Sequence, residues 1–417
     1  MSPTLEQAVR DAGGRVRAAL AARFRDLDLA EEAFAEACVA ALPAWAEAGP
    51  PRDPAAWLYK AALRRALDLK RRAKVRAGYR PDPRAPEPTP EEALIVGEDP
   101  IPDERLRLIF VCCHPAVGTE ARAALTLRLV CGLSTAEIAA AFLVSEPALA
   151  QRIVRAKRKI ADAGVPFETP GPDAWPERMD AVLSTLEVAY AKAYEDAAGA
   201  GAHADFYEEV LRLSGLLARL APGDGEALSF AAMVRFTEAR RPARLDDDGA
   251  MIPLDQQDPA QWRHDLIDEG ERLLKRAAAC ARRPGPRALQ AAIHCAHCVR
   301  RRGKPTPWPA IVGLYDALLE HRPDAVVRLN RAVALAETAG VEAGLAEVEA
   351  LAGERTAGWL PWHAARAHLL ARLGRAIEAA AAFDAALALN PAPAERLYLE
   401  RRRAQAAPAA AASPSAA

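Results

Sequence analysis

The chain has 417 residues, a formal net charge of -1, 51% hydrophobic and 27% charged residues, which excludes a mainly disordered protein and any overall basic character for holding nucleic acid. At about 150 residues per domain the length predicts two or three domains. Aromatic content is only 6%, and with heavy alanine use it favours an all-α fold over a β-sandwich or barrel.

The opening MSPTLEQAVRDAGGRVRAAL carries acids and no apolar stretch before a cleavage site, and no run of about 18 apolar residues occurs, so a cytoplasmic protein is expected. Seven cysteines form an odd set without regular spacing, which fits free thiols in a reducing compartment. Composition divides the chain into helical blocks at 1–76, 102–164 and 177–407. Between them lie a proline-rich linker at 77–101 and a second linker at 165–176, and the tail 408–417 has nothing to bury.

In the first block Ala30, Ala33, Phe34, Ala37, Cys38, Ala41, Leu42 and Trp45 recur at helical spacing and predict one buried stripe, with Glu31, Glu32 and Glu36 off it. The next helix is predicted to start at Pro54, capped by Asp53, and to bury Leu58, Ala62, Ala66 and Leu69. Its other side holds Lys60, Arg64, Arg65, Lys70, Arg71, Arg72, Lys74 and Arg76 against a single acid, Asp68. Such density suits phosphates, since each neutralised phosphate releases counterions, although a solvated helix end shows the same pattern. Trp57, one turn before the cluster, could stack an unpaired base or belong to the core.

The second block reads as helix, helix, turn, helix. Ser134 to Glu137 match a capping box that starts a helix near Thr135, with Ile138, Ala139 and Phe142 inward. Leu143 and Val144 make the turn, Ser145 caps the following helix, and Leu149, Ile153, Ala156 and Ile160 point inward. Its outward face presents Gln151, Arg152, Arg155, Lys157, Arg158 and Lys159, with no acid from Pro147 through Ala161. Glutamine and arginine can read base edges in a major groove while the other cations hold phosphates. An ordinary helical hairpin is the alternative.

The segment IPDERLRLIFVCCHPAVGTEARAALTLRLVCGLSTAEIAAAFLVSEPALAQRIVRAKRKI resembles the fourth conserved region of extracytoplasmic-function sigma factors, in particular the subgroup with a C-terminal tetratricopeptide-type extension. DLDLAEEAFAEACVAALPAW resembles the second conserved region where it meets the polymerase clamp, and DPAAWLYKAALRRALDLKRR the part that melts and reads the minus-10 element. The resemblance implies two small helical sigma domains, the second with a helix-turn-helix, followed by a tetratricopeptide-like α-solenoid. It implies polymerase-binding Glu32 and Glu36, and minus-10 residues Trp57, Arg64, Arg65, Asp68, Arg71 and Arg72. Arg152, Arg155 and Lys157 match basic positions of the minus-35 helix, with Gln151 and Arg158 beside them. Core RNA polymerase and promoter DNA are the implied partners, with transcription initiation the function. Two departures are Ala35, where many relatives have glutamine, and YAKAYEDAAGAGAHADFY, where relatives of the subgroup show a segment like FNEGY.

In the third block Gly340 and Gly374 are 34 residues apart, while Tyr315 with Phe383 and Pro323 with Pro391 are 68 apart. That is the tetratricopeptide period, and it predicts units at 292–325, 326–359 and 360–393. Stacked helix pairs leave a concave face for a peptide, a protein or another part of the same chain.

Candidate chemistry is sparse. His294, Cys295, His297 and Cys298 carry ligand-type groups, but one helix cannot turn all four towards one metal, so core roles are expected. Cys112, Cys113 and His114 sit where a helix stops before Pro115. Gly303 to Thr306 lacks the upstream glycine of a phosphate loop, and the turn at Asp246 lacks calcium-loop spacing. Neither an enzyme nor a cofactor is expected. Two rival readings remain at this level: a helix-turn-helix regulator with a repeat-type sensor, and a repeat scaffold with vestigial DNA-binding parts.

Overall fold

The computed structural model describes residues 3–76, 104–142, 144–196, 204–353 and 356–406. The expected proline-rich linker and tail therefore fall outside the described residues, as do residues 197–203 of the segment at 190–207. Every regular element described is a helix; one isolated antiparallel bridge, Leu245 with Met251, is the sole extended pairing among the described residues. The chain forms two compact units, Met1–Lys192 and Ala193–Ala417.

The first unit begins with α1 (Pro3–Phe24), α2 (Leu27–Ala48) and α3 (Pro54–Arg76) packed on one another. Asp26 starts α2 by accepting from the Leu29 amide at 3.0 Å, and Asp53 starts α3 by accepting from Ala56 at 2.9 Å. Each cap satisfies an amide that the first helical turn leaves orphaned. The stripe of α2 is buried at Ala30, Ala33, Phe34, Ala37, Ala41 and Trp45, but Leu42 is 44% exposed and joins Val39 on the surface. The apolar run of α2 is wider than the face its neighbours cover.

Next come α4 (Arg105–Cys112), α5 (Thr119–Thr126), a π-helical turn (Leu127–Cys131), α6 (Thr135–Ala141) and α7 (Glu146–Asp162). The π turn extends α5 and stops at Gly132, whose φ of 81° suits a residue without Cβ. It packs on α1, where the buried Arg17 donates Nε to the Leu129 carbonyl at 2.9 Å. Gly14 lies so close that a Cβ there would stand 2.0 Å from the Val130 carbonyl oxygen. The first and second helical blocks are thereby joined in one unit. The beginning of α8 (Trp175–Asp196) belongs to it as well: Trp175 meets Phe110 edge-on with centroids 5.2 Å apart, and Arg178 donates to the Phe110 carbonyl at 2.5 Å.

The second unit contains α9 (Ala204–Leu220), α10 (Gly225–Ala239), α11 (His264–Cys280), α12 (Pro286–Cys298) and α13 (Trp308–His321). It continues through α14 (Ala325–Ala336), α15 (Val341–Glu349), α16 (Leu360–Arg372), α17 (Ala376–Ala388) and α18 (Pro393–Ala406). From α12 onward each helix packs on the next. Windows 326–359 and 360–393 each hold a helix pair, α14 with α15 and α16 with α17, whereas 292–325 takes only the end of α12 with α13. Gly340 and Gly374 occupy corresponding turns, with φ of 100° and 72°. The last helix returns to the loop before α11: Met251 donates to the Ala394 carbonyl at 3.1 Å, and Arg401 pairs with Asp248 at 2.8 Å.

Candidate nucleic-acid interface

The third helix of the helix-turn-helix is positioned by its neighbours. Ser134 and Glu137 form the expected reciprocal cap of α6: the Ser134 amide donates to Glu137 Oε2 at 2.6 Å, and the Glu137 amide to Ser134 Oγ at 3.1 Å. Ser145 occupies the N-cap position of α7, but its side chain makes no capping bond. Leu149, Ile153, Ala156 and Ile160 are all buried, which fixes the rotation of α7. At 100° per residue Gln151, Val154, Arg155 and Arg158 then face away from the core, and all four are exposed.

The flanking cations behave differently. Arg152 reaches Glu120 at 2.6 Å, and a cavity of about 540 Å³ opens between the start of α5 and α7, lined by Thr119, Arg152, Arg155 and Lys159 among others. Lys157 turns the other way. Its side chain is 11% exposed, with Nζ 2.7 Å from Asp28 and also paired with Glu31 of α2. Burial alone would lower the ammonium's pKa, but Glu31 and Asp28 outweigh it and hold it above the ordinary lysine value. Glu31 also receives Arg128 at 3.1 Å. The outward face expected from the sequence thus contracts by one residue: Lys157 spans two helices and does not stand free on the surface.

The second basic surface lies on α3. Arg64, Arg65, Arg71 and Arg72 are exposed, as are Lys60, Lys70 and Arg76. Asp68 stands 3.7 Å from Arg71 and Arg65 stands 3.7 Å from Glu36, so exposed pairs leave most of the charge available. Trp57 is half-buried and meets Trp45 edge-on with centroids 5.6 Å apart. On α2, Glu32, Glu36 and Val39 recur at spacings of 4 and 3 and share one acidic and apolar stripe, with Glu32 and Val39 exposed and Glu36 half-buried beside Arg65.

Of the other candidate groups, Cys112, Cys113 and Cys298 are buried, while His114, His294, Cys295 and His297 are half-buried. His294 is held by Arg240, whose Nη2 lies 2.8 Å from Nδ1, and Arg240 also approaches the buried Cys298 at 3.7 Å. Cys113 Sγ lies 3.5 Å from Thr126 Oγ1, and burial pushes the Cys112 and Cys113 thiols up in pKa. Among the described residues no three histidine, cysteine or acidic side chains are grouped to hold a metal.

Sequence reasoning missed Arg17, Glu31 and Val154. The first two act through contacts more than 90 residues away along the chain, which no local period reveals. Val154 carried a local signal, since it interrupts the polar face of α7.

An all-α chain with a capped helix-turn-helix, a basic outward face and a second cationic helix has the arrangement of a DNA-binding protein. Residues 8–76 match the family profile for sigma-70 region 2, and residues 107–160 that for sigma-70 region 4. Residues 178–278 match a family of unknown function, DUF6596. The chain is 41% identical over 399 residues to Uncharacterized protein R00370 of Rhizobium meliloti (strain 1021), covering 95% of this chain and 94% of that one. The chain belongs to the sigma-70 family, as an extracytoplasmic-function-type sigma factor with a C-terminal helical extension. The two sigma-70 regions support a role in transcription initiation through binding of core RNA polymerase and promoter DNA. No described helix is long and apolar enough to cross a membrane.

Proposed function

We propose that this sigma factor directs core RNA polymerase to a specific set of promoters through three surfaces of its first unit. The face of α7 reads duplex DNA at the minus-35 element: Gln151, Arg155 and Arg158 contact bases or flanking phosphates, and Arg152 holds a phosphate at the edge. Arg64, Arg65, Arg71 and Arg72 on α3 hold the minus-10 region while Trp57 supports an unstacked base. The stripe of Glu32, Glu36 and Val39 on α2 meets the polymerase clamp. The observation that carries this reading is the segregation on α7, where four apolar residues are buried on one side and the opposite side bears exposed cations without an acid between Pro147 and Ala161.

The division into a minus-10 block at 1–76 and a minus-35 block at 102–164 is part of the proposal, as is a tetratricopeptide-type role for 177–407. The helical array regulates the sigma domains of the same chain or docks a protein partner, since tethering raises the effective concentration of even a weak contact. The test of the promoter surfaces is open-complex formation. Trp57→Ala should weaken permanganate reactivity of melted thymines more than it weakens duplex binding, because stacking contributes about 1–3 kcal/mol per base. Normal melting by the folded variant would remove Trp57 from the site.

A further inference from the structure

On α7 one residue of the outward face does not fit a purely polar reader. Val154 is 63% exposed, although the helix has already placed its apolar residues, Leu149, Ile153, Ala156 and Ile160, in the core. A β-branched residue on an exposed helix position loses rotamer freedom and gains no packing, so alanine, lysine or glutamine would serve the isolated helix better. Its neighbours along the face are Gln151 one turn before, Arg155 beside it and Arg158 one turn after. Two methyl groups therefore stand in the middle of hydrogen-bonding and cationic side chains.

Duplex DNA offers one apolar group in the major groove, the C5-methyl of thymine. We propose that Val154 is a specificity-determining residue that packs on a thymine methyl while Gln151, Arg155 and Arg158 bind the adjacent base edges and phosphates. The inference rests on α7 being the duplex-reading helix. The cationic surroundings favour this occupant over an apolar protein surface, because docking α7 on such a surface would strip Arg155 and Arg158 of water without supplying acceptors. Lys157, held on the flank by Asp28 and Glu31, keeps its charge off this side of the helix.

The test selects duplexes from a random library with the full chain bound to core RNA polymerase. Each thymine of the selected duplex is then replaced singly by deoxyuridine, which removes only the methyl group. Wild-type protein and Val154→Ile should lose about fourfold in affinity at one position, the worth of one buried methyl-sized group. Val154→Ala should bind the thymine duplex about as weakly as wild type binds the uracil duplex, with no further loss on substitution. Circular dichroism should show the variant as helical as the parent, since alanine is the better helix former. Equal binding of thymine and uracil at every position overturns the proposal. So does a selected duplex without thymine, or a uracil penalty that persists in Val154→Ala. If no duplex is enriched, or Arg155→Ala leaves the selection unaltered, the duplex-reading role of α7 fails first and the Val154 contact fails with it.

Discussion

Lys157 and Arg155 are two residues apart on one helix and have opposite surroundings. Arg155 is exposed on the outward face, whereas Lys157 is tied to Asp28 and Glu31. Arg155→Ala should leave stability unchanged, and it should either relax base preference at one position at a cost of about 1–3 kcal/mol or weaken all sequences alike. Lys157→Ala should instead lower the unfolding free energy of the first unit, measured by urea titration, by about 1–3 kcal/mol, because it leaves the half-buried Glu31 with one fewer cation. Equal melting curves for Lys157→Ala and wild type would show that the pair contributes nothing. The outward placing of Arg155 was legible in the sequence, whereas Lys157 was expected on the same face and lies on the flank. The partner of Lys157 was not, because Asp28 and Glu31 lie in another block of the chain and nothing in the spacing of α7 points to them.

The histidines of α12 carry a second consequence at the residue scale. An arginine can only donate, so Arg240 Nη2 at 2.8 Å requires His294 Nδ1 to accept, and the ring is neutral. Burial, then the Arg240 charge, holds the His294 pKa well below 6.5, and burial takes His297 down to about 3. An unfolded chain takes up these protons near pH 6.5 while the folded one does not, so stability is present above that pH and falls as the solution is acidified. Each histidine should contribute a slope of up to about 1.4 kcal/mol per pH unit between pH 6 and 5. His294→Asn retains an acceptor for Arg240 and should flatten the pH dependence of the urea midpoint. An unchanged slope would contradict the neutral, buried assignment.

Among the elements, the contact of α1 with the π turn has the least tolerance. A Cβ at Gly14 would stand 2.0 Å from a backbone oxygen of Val130, and a backbone atom cannot rotate aside as a side chain can. Gly14→Ala should therefore force α1 and the turn apart and cost about 2 kcal/mol or more. Melting temperature and limited proteolysis of the first unit would register this, and an unaltered melting curve would show that the contact is not maintained. Local chemistry, by contrast, was read directly: Asp53 before Pro54 and the pair Ser134 with Glu137 are caps because their oxygens reach amides three residues away. The inward set of α7 was legible for the same reason, since 3.6 residues per turn fixes which side chains share a face. Leu42 failed that logic. Periodicity marks the centre of an apolar stripe but not how far the neighbouring helices extend over it.

For the whole molecule, composition foretold an all-helical chain and the position of its basic helices, because alanine and segregated charge act locally. It did not foretell that residues from both sigma blocks and the start of α8 would pack in one unit, a matter of contacts such as Arg17 with Leu129 and Trp175 with Phe110. Nor did the repeat period reveal that α18 is fastened to the loop before α11 through Arg401 and Asp248. The central claim concerns the chain as a promoter-selecting subunit, and in vitro transcription with purified core RNA polymerase tests it most directly. On a template carrying the duplex selected by the complex, the full chain should produce one discrete start that core enzyme alone does not produce, and the double replacement of Arg155 and Arg158 by alanine should abolish it. Initiation no more specific than that of core enzyme alone, from a chain that is folded and bound to the polymerase, would contradict the account.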